Sequence, residues 1–342
     1  MSRQRRYQTT GRRTRIRLLP STHVILWMTV VLSLAWLAGC ASTPAPATPA
    51  QATPAPVTPE VARPLGGADI CRHGPRFTAA MGFSKQSNIG TAFQGIQGLA
   101  IADPAGNNGQ GSLYQHPTWD DAGYLGPWTY DRNETIYTGP VPLVSLVENP
   151  PEKQNKVYKI DTDSQIMSEF VDLPAAQPPS SANPFGVVGL TYDCDTESLY
   201  ASSLAGSTAG QEVGRIFRID LASGQVLDSM DNVDAMGLGV FNGAQGKRLY
   251  YGLTRKPEVW SVALDDKGDF VGEPRFEFSF ADLPTEGRQT VRRIRFGTGT
   301  DATLYLMAFN YTLQVAGERQ ETVLQFSYDP FTDVWSQAKT GT

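Results

Sequence analysis

The sequence predicts an all-β fold assembled from a repeated four-stranded unit, on three observations. Over residues 66–342 no stretch of useful length keeps a helical period; short apolar or alternating runs are instead broken by Gly, Asp, Asn and Pro every 8–12 residues. Gly 33 and Pro 24 make up about a sixth of the chain, above the average mix, so many turns are implied. Three short elements also recur in a fixed order, with a spacing that only a repeat architecture explains.

The chain starts with an address. Seven Arg (Arg3, Arg5, Arg6, Arg12, Arg13, Arg15, Arg17) precede an apolar run from Val24 to Trp36 that ends at Leu37-Ala38-Gly39-Cys40. A basic start, a short apolar run and small residues at a processing site make a secretory signal. From Val24 to Gly39 the run covers 16 residues, short of the roughly 20 that span a bilayer as a helix. Leu37-Ala38-Gly39-Cys40 resembles the lipobox of bacterial lipoprotein precursors. The resemblance implies a signal peptide over 1–39 and lipidation of the Cys40 sulfur, followed by cleavage on its N-terminal side. Acyl chains contribute about 0.8 kcal/mol per buried CH₂, and more than one makes anchoring stable. Ala41 is not the Asp that resembles an inner-membrane retention signal. The expected location is therefore the outer membrane of a two-membrane cell, or the outer surface of a one-membrane cell.

Residues 40–65 carry the lipidated Cys and a tether of almost only Ala, Thr, Pro and Ser, with Pro44, Pro46, Pro49, Pro54, Pro56, Pro59 and Pro64. Such a stretch cannot bury a core and favours extended conformers of about 3.1 Å per residue.

The body, 66–342, carries the repeat. An inner strand opens on Gly in Gly98-Leu99-Ala100-Ile101, Gly126-Pro127-Trp128-Thr129-Tyr130-Asp131, Gly189-Leu190-Thr191-Tyr192-Asp193 and Gly237-Leu238-Gly239-Val240-Phe241. A second strand is marked by an aliphatic residue before Tyr: Leu113-Tyr114, Ile136-Tyr137, Leu199-Tyr200, Leu249-Tyr250 and Leu304-Tyr305. A third alternates and runs to an Asp: Val157 to Asp161, Ile216 to Asp220, Val259 to Asp265 and Val323 to Asp329. A turn such as Ala222-Ser223-Gly224 and a short fourth strand complete one blade of a β-propeller. The Tyr elements lie 23, 63, 50 and 55 residues apart, which marks four blades near 124–182, 183–234, 235–289 and 290–337. An interval of 23 is too short for a blade, so 66–122 is either an irregular first blade or strands that close the ring against the last one. Five or six four-stranded blades are expected; a β-sandwich would not need a repeat of this length. Over about 124–337 the pattern resembles the NHL-repeat and gluconolactonase-like (senescence-marker-type) propellers.

Beyond Cys40 the sequence has Cys71 and Cys194, an even pair in an exported protein, and a disulfide between them would pin the irregular N-terminal segment to a regular blade. The alternative is two buried thiols. The first 22 residues take seven of the 29 basic residues and no acid, leaving 22 basic against 34 acidic, a net of −12. An acidic body without a basic stripe excludes a nucleic-acid-binding domain, since phosphates need clustered Lys and Arg.

Catalytic signatures are sparse, and no catalytic residue is assigned. The body has two His, His73 and His116, too few for a His₃ zinc site, and no Gly-x-Ser-x-Gly elbow, P-loop or dinucleotide fingerprint. The gluconolactonase-like resemblance implies a divalent ion such as calcium on the axis, held by carboxylate and Asn oxygens, that polarises a lactone carbonyl and activates water. Candidate counterparts beside blade starts are Glu148, Asn149, Asn183 and Asp234, although the family's ligand motifs do not match residue by residue. Asp193-Cys194-Asp195 fits turn capping better than metal binding. The Asp103 to Gln110 loop lacks the acid at twelve that an EF-hand loop requires. The segment His116-Pro117-Thr118-Trp119-Asp120-Asp121 should lie in a loop on one face of the disc. His116 and Trp119 beside Asp120 and Asp121 suit stacking and hydrogen bonding to a sugar or peptide; the alternative packs Trp119 inward. The Pro-stiffened insertion from Gly139 to Pro151 is read as a rim, a partner surface or a cover for the adjacent blade. Among Arg288, Arg292, Arg293 and Arg295, strand alternation puts Arg293 and Arg295 on one face, as an anion site or a solvated edge.

The function expected is a membrane-anchored, extracytoplasmic binding module for a carbohydrate, a peptide or an envelope protein. The alternatives are a metal-dependent lactonase of the gluconolactonase-like class and a scaffold of an envelope assembly. Propellers host all three, so fold alone does not choose.

Overall fold

The computed structural model describes residues 63–93, 95–141, 147–283, 289–309, 311 and 321–338. The expected signal peptide 1–39, Cys40 and the tether up to residue 62 lie outside these residues, as do Arg288 and the centre of the 139–151 insertion. Among the described residues no helix is long and apolar enough to cross a membrane.

The protein is a five-bladed β-propeller of antiparallel sheets. A two-residue strand, β1 (Gly66–Gly67), comes first. Blade 1 is β2 (Asn88–Gly90), β3 (Ala100–Asp103) and β4 (Ser112–Tyr114). Blade 2 is β5 (Leu125–Tyr130), β6 (Ile136–Pro140), β7 (Lys156–Ile160) and β8 (Met167–Asp172). Blade 3 is β9 (Val187–Asp193), β10 (Ser198–Ser203), β11 (Arg215–Asp220) and β12 (Val226–Asp231). Blade 4 is β13 (Ala235–Gly243), β14 (Gly246–Leu253), β15 (Glu258–Leu264) and β16 (Phe270–Ser279), with β1 added on the free side of β13. Blade 5 is β17 (Gln289–Phe296), β18 (Asp301–Ala308), β19 (Thr322–Asp329) and β20 (Val334–Gln337). The blade boundaries agree with those expected from the repeat, and 66–122 is indeed an irregular first blade. The short Tyr114 to Tyr137 interval arises because β4 leads straight into the loop before β5, with no third or fourth strand between them.

The aliphatic-Tyr pair has a physical meaning. Adjacent residues of a strand point to opposite faces, so one member packs on the blade before and the other on the blade after. Ile136 joins the core between blades 1 and 2, and Tyr137 the core between blades 2 and 3. Leu199 and Tyr200 do the same around blade 3, and Leu249 and Tyr250 around blade 4. Strands covered on both faces are buried throughout, as in β10, where all six residues are buried. Crowding where inner strands meet explains the glycines of the first element: a Cβ on Gly189 would lie 2.0 Å from the Met236 carbonyl oxygen.

The Asp that ends each third strand caps a tight turn. Asp161 Oδ1 accepts from Ser164 N at 2.8 Å, Asp220 Oδ2 from Ser223 N at 2.7 Å, Asp265 Oδ1 from Lys267 N at 2.9 Å and Asp329 Oδ1 from Phe331 N at 2.9 Å. Donors at these turns hold all four carboxyls below the usual carboxylate range: the Ser223 hydroxyl and then its backbone N–H at Asp220, and backbone donors first at Asp161, Asp265 and Asp329, aided by the hydroxyls of Ser164 and Thr332 at Asp161 and Asp329.

Residues 63–76 form a strap across the turn face of the disc, where first and second strands are joined. Gly66 and Gly67 pair with Asn242 and Phe241 of blade 4. Gly67 N donates to Gly297 O in blade 5, and Cys194 N in blade 3 donates to Ala68 O. His73 N donates to Asp131 O, and Arg76 N to Glu134 Oε2, both in blade 2. The strap thus touches four consecutive blades before the chain enters the core of blade 1 at Phe77. Gly66 is held at φ 136°, with space for a Cβ denied by Gly299 N at 2.7 Å, so the start of the strap requires glycine. The disulfide Cys71–Cys194 closes it covalently, with a Cα separation of 5.9 Å, and ties the irregular segment to a regular blade. Beneath the strap, Lys247 Nζ and Asp193 are completely buried and 2.7 Å apart, and Asp195 Oδ2 lies 2.6 Å from the same ammonium. Asp193 also accepts from Asp195 N and Thr196 Oγ1, so Asp193-Cys194-Asp195 is a capped turn neutralised by a lysine.

Candidate functional site: the loop face opposite the strap

The strap occupies one face of the disc. The other carries the loops between second and third strands and those between blades, and most residues singled out in the sequence lie there. Asn149 stands in the β6–β7 loop, Asn183 and Asp234 just before β9 and β13, and the His116 to Asp121 segment between β4 and β5.

The four metal-ligand candidates do not converge; the buried three each staple loops together. Asn149 Oδ1 accepts from Tyr124 N at 2.9 Å while its Nδ2 donates to Tyr124 O at 2.9 Å. Asn183 Nδ2 donates to Leu204 O and Ser207 O, both at 2.7 Å, and its Oδ1 accepts from Phe185 N. Glu148 is exposed on the loop surface. Among the described residues no group of three or more His, Cys, Asp or Glu side chains is placed to hold a metal ion. The residues present therefore do not fit the axial divalent ion that the gluconolactonase-like resemblance implies, because the buried oxygens are already engaged by backbone and side-chain donors.

Asp234 is the hub of this face. Completely buried, it accepts at Oδ1 from Ser207 Oγ (2.5 Å) and Gly214 N (3.0 Å) of blade 3, and at Oδ2 from Arg255 Nε (2.9 Å) and Tyr311 Oη (2.5 Å). Arg255 also donates to Thr208 O, Ala209 O and Gln211 O, and its guanidinium lies over the Tyr311 ring at 4.9 Å. One carboxylate thereby fixes the loops of blades 3, 4 and 5 to one another. Burial, and then the hydrogen bond to Asp234, push the Tyr311 phenol far above its ordinary value. A carboxylate with this many donors is held in place, and it positions the loops.

The ligand-binding set expected at His116, Trp119, Asp120 and Asp121 is corrected at its centre. Trp119 is completely buried, 5.8 Å from the Phe77 ring and 5.6 Å from the Tyr114 ring, and its Nε1 donates to Gln165 O at 2.8 Å. A truncated first blade has little apolar surface of its own, and the indole supplies it, so the ring faces the blade 1–blade 2 core. Gly98 admits it: a Cβ there would lie 2.1 Å from Trp119 O. His116 Nδ1 accepts from Thr118 N at 3.2 Å and lies 2.9 Å from Thr118 Oγ1. Asp120 and Asp121 are exposed.

Sequence reasoning missed two glutamines on the loop face. Gln154 is completely buried, and among the described residues neither its amide nitrogen nor its oxygen has a hydrogen-bond partner. Gln289, at the first position of β17, is likewise buried with Oε1 unpartnered. Backbone neighbours link both to one aromatic contact: Phe185, next to the Gly186 that packs on the Gln154 carbonyl, lies 5.1 Å from Phe309, next to the Ala308 that pairs with Gln289. An unmade buried hydrogen bond costs about 1–3 kcal/mol, and a buried amide offers a donor and an acceptor side by side. No motif announces such a residue, since glutamine at a strand start is ordinary on a surface.

The turn face carries a shallow groove of about 520 Å³ lined by Thr196, Arg218, Leu227, Asp266, Lys267 and Asp269. Its charges are largely spent on one another: Arg218 pairs with Asp269 and donates to Ser198 Oγ, and Asp266 pairs with Arg63 of the strap.

No family model and no curated protein matches the sequence. Among solved structures, a glucose dehydrogenase is similar at 11% identity and a TM-score of 0.40, over 75% of this chain and 80% of that one. A luciferin-regenerating enzyme is similar at 11% identity and a TM-score of 0.38, over 80% of this chain and 94% of that one. A chain from a nidogen–laminin complex is similar at 8% identity and a TM-score of 0.38, over 70% of this chain and 88% of that one. Likenesses of this size carry no argument about what the chain does, and the blade assignment rests on the strand pairings themselves.

Proposed function

We propose that this protein is an extracytoplasmic binding module, held on a membrane through lipidated Cys40 and a Pro-rich tether, that takes a polar, uncharged ligand on the loop face of its propeller. The observation that carries the reading is the pair of buried amides, Gln154 and Gln289, beside the Phe185–Phe309 contact. Buried amides suit carbohydrate hydroxyls or a peptide backbone, which offer donors and acceptors without charge. The strap supports the same choice of face, because it covers the opposite one and the chain reaches the propeller there. Export is supported by the lipobox-like Leu37-Ala38-Gly39-Cys40 and by the disulfide, which belongs to oxidising compartments.

The test is to screen the detergent-solubilised full-length protein on glycan and peptide arrays beside a Gln154→Leu/Gln289→Leu variant. Binding by the wild type that the variant loses is expected. Binding that survives both substitutions places the ligand elsewhere and overturns the reading. The anchor is tested separately: Cys40→Ala is expected to move the protein from the membrane to the soluble fraction and to abolish labelling by a fatty-acid analogue.

A further inference from the structure

The turn face carries more than the strap. Arg63 pairs with Asp266 of the β15–β16 turn at 2.9 Å, and Arg76 with Asp163 of the β7–β8 turn at 2.6 Å, so the turns between third and fourth strands lie on the strap's face. Where the fourth strands leave these turns, each of blades 2 to 5 exposes a large aliphatic side chain: Ile166 just before β8, Leu227 in β12, Val271 in β16 and Val334 at the start of β20, each 41–52% exposed. Phe331, in the β19–β20 turn, is 96% exposed, and Ile70 of the strap is about half exposed. The turn that carries Phe331 is fixed. Asp329 accepts from Phe331 N at 2.9 Å and from Thr332 Oγ1 at 2.8 Å, and the buried Asp333 accepts from Tyr328 Oη at 2.7 Å and pairs with Arg275. A rigid turn thus holds an aromatic ring away from every core of the fold, on a face whose rim is apolar in four blades. Exposed apolar side chains gathered on one face mark a contact with a protein or a membrane.

We propose that the turn face lies against the membrane surface that holds Cys40, with Phe331 and the apolar rim in the boundary between headgroups and acyl chains and the loop face turned outward. The inference rests on the lipid anchor proposed above. Among the described residues the chain first meets the propeller at Arg63, which pairs with Asp195 and Asp266 on this same face. Residues 41–62 alone separate it from Cys40 in sequence, a reach of about 70 Å at most when extended at about 3.1 Å per residue. A tether attached to this face keeps it at a high effective concentration against the lipid, so that separate weak contacts suffice. The spacing of the side chains selects lipid over protein. A protein partner buries a contiguous patch of about 800 Å², whereas single side chains set blade by blade around a rim suit a planar, fluid surface that closes around each of them. The net −12 of the residues beyond the first 22 opposes attraction to anionic headgroups, so the contact is apolar rather than electrostatic.

The test uses full-length protein reconstituted in phosphatidylcholine vesicles that contain a nitroxide-labelled phospholipid. With Cys40 lipidated and Cys71 bonded to Cys194, an introduced cysteine is the single reactive thiol. A fluorophore is attached at Ala222→Cys, exposed in the β11–β12 turn, or at Asp120→Cys, exposed on the loop face. The protein is expected to float with the vesicles, and the nitroxide to quench the label at 222 about threefold or more above the label at 120. High salt should leave that difference unchanged. The substitutions Ile70→Ser/Phe331→Ser/Val334→Ser, at exposed positions, should reduce quenching at 222 to the loop-face level while the melting temperature and flotation are kept. Flotation with quenching at 222 no stronger than at 120 overturns the orientation and leaves the anchor standing; a protein that does not float overturns the anchor and the orientation together. Quenching that high salt removes, or that the three substitutions leave unchanged, also overturns the proposal.

Discussion

At the scale of single residues, the buried groups divide into those whose partners are present and those whose partners are missing. Lys247 and Asp193 belong to the first class: both are completely buried, and the ammonium is shared with Asp195. Removing one partner of a buried ion pair leaves an uncompensated charge, and typically costs about 3–5 kcal/mol. Lys247→Met is therefore expected to destabilise the protein by about that much in a urea titration, and adding Asp193→Leu to recover a large part of it. Equal losses in the single and double variants would show that the pair does not act as a unit. Such a lysine is not legible in sequence, where it stands at the start of an ordinary strand, Gly246-Lys247-Arg248. For Trp119 the sequence leaves two orientations open for the same reason, since composition shows that an indole sits in a loop but not which way it turns, and the structure takes the inward one. Its orientation is set by the small size of blade 1, a property of the neighbours rather than of the segment.

At the scale of elements the sequence was far more legible. The aliphatic-Tyr strand, the Gly-led inner strand and the Asp-ended third strand each report a local constraint: opposite faces packed on different blades, crowding at the axis, and a carboxylate-capped turn. All three constraints act over a few residues, so they leave a readable spacing. The strap does not, because its contacts run to blades more than a hundred residues away, as from Cys71 to Cys194. Only the even cysteine count hinted at it. Removing the disulfide as Cys71→Ala/Cys194→Ala is expected to cost about 2–5 kcal/mol, with hydrogen exchange rising first in residues 63–76; unchanged protection there would contradict the role given to the strap. The Asp caps make an acid prediction. Their folded pKa values lie below the unfolded value of 3.8, so their contribution is fully present above that value and is lost as pH falls through the lower, folded pKa values. Asp69 of the strap has the opposite sign. Burial raises its pKa against the pull of Arg72, so its cost to stability is relieved as pH falls. Asp103, Asp195 and Asp333 share the sign of the four caps and Asp131 that of Asp69, so the melting temperature is expected to drop as pH falls below 3.8, and to drop less in Asp161→Ala/Asp265→Ala. A melting temperature that is flat or rises over that range would contradict this accounting.

At the scale of the whole molecule, a disc with one face strapped and covalently tied leaves its loop face uncovered by the strap. The loop face is rigid where Asp234 binds three blades together and polar where the two glutamines stand, a combination suited to preorganised recognition. The candidate site was legible only in outline. The sequence located the loops, and even Asn183 and Asp234 within them, but read their oxygens as ligands of a metal when they are staples of the loops. The unpartnered amides carry the central claim, and the most direct test is the thermal stability of full-length Gln154→Leu/Gln289→Leu in the absence of ligand. If the amides await a ligand, replacing them by apolar groups of similar size removes an unpaid desolvation cost, and the account predicts a gain of about 1–3 kcal/mol, read as a higher melting temperature. A lower melting temperature would mean that the amides already hold the loop face together, and would contradict the assignment of this face as the binding site.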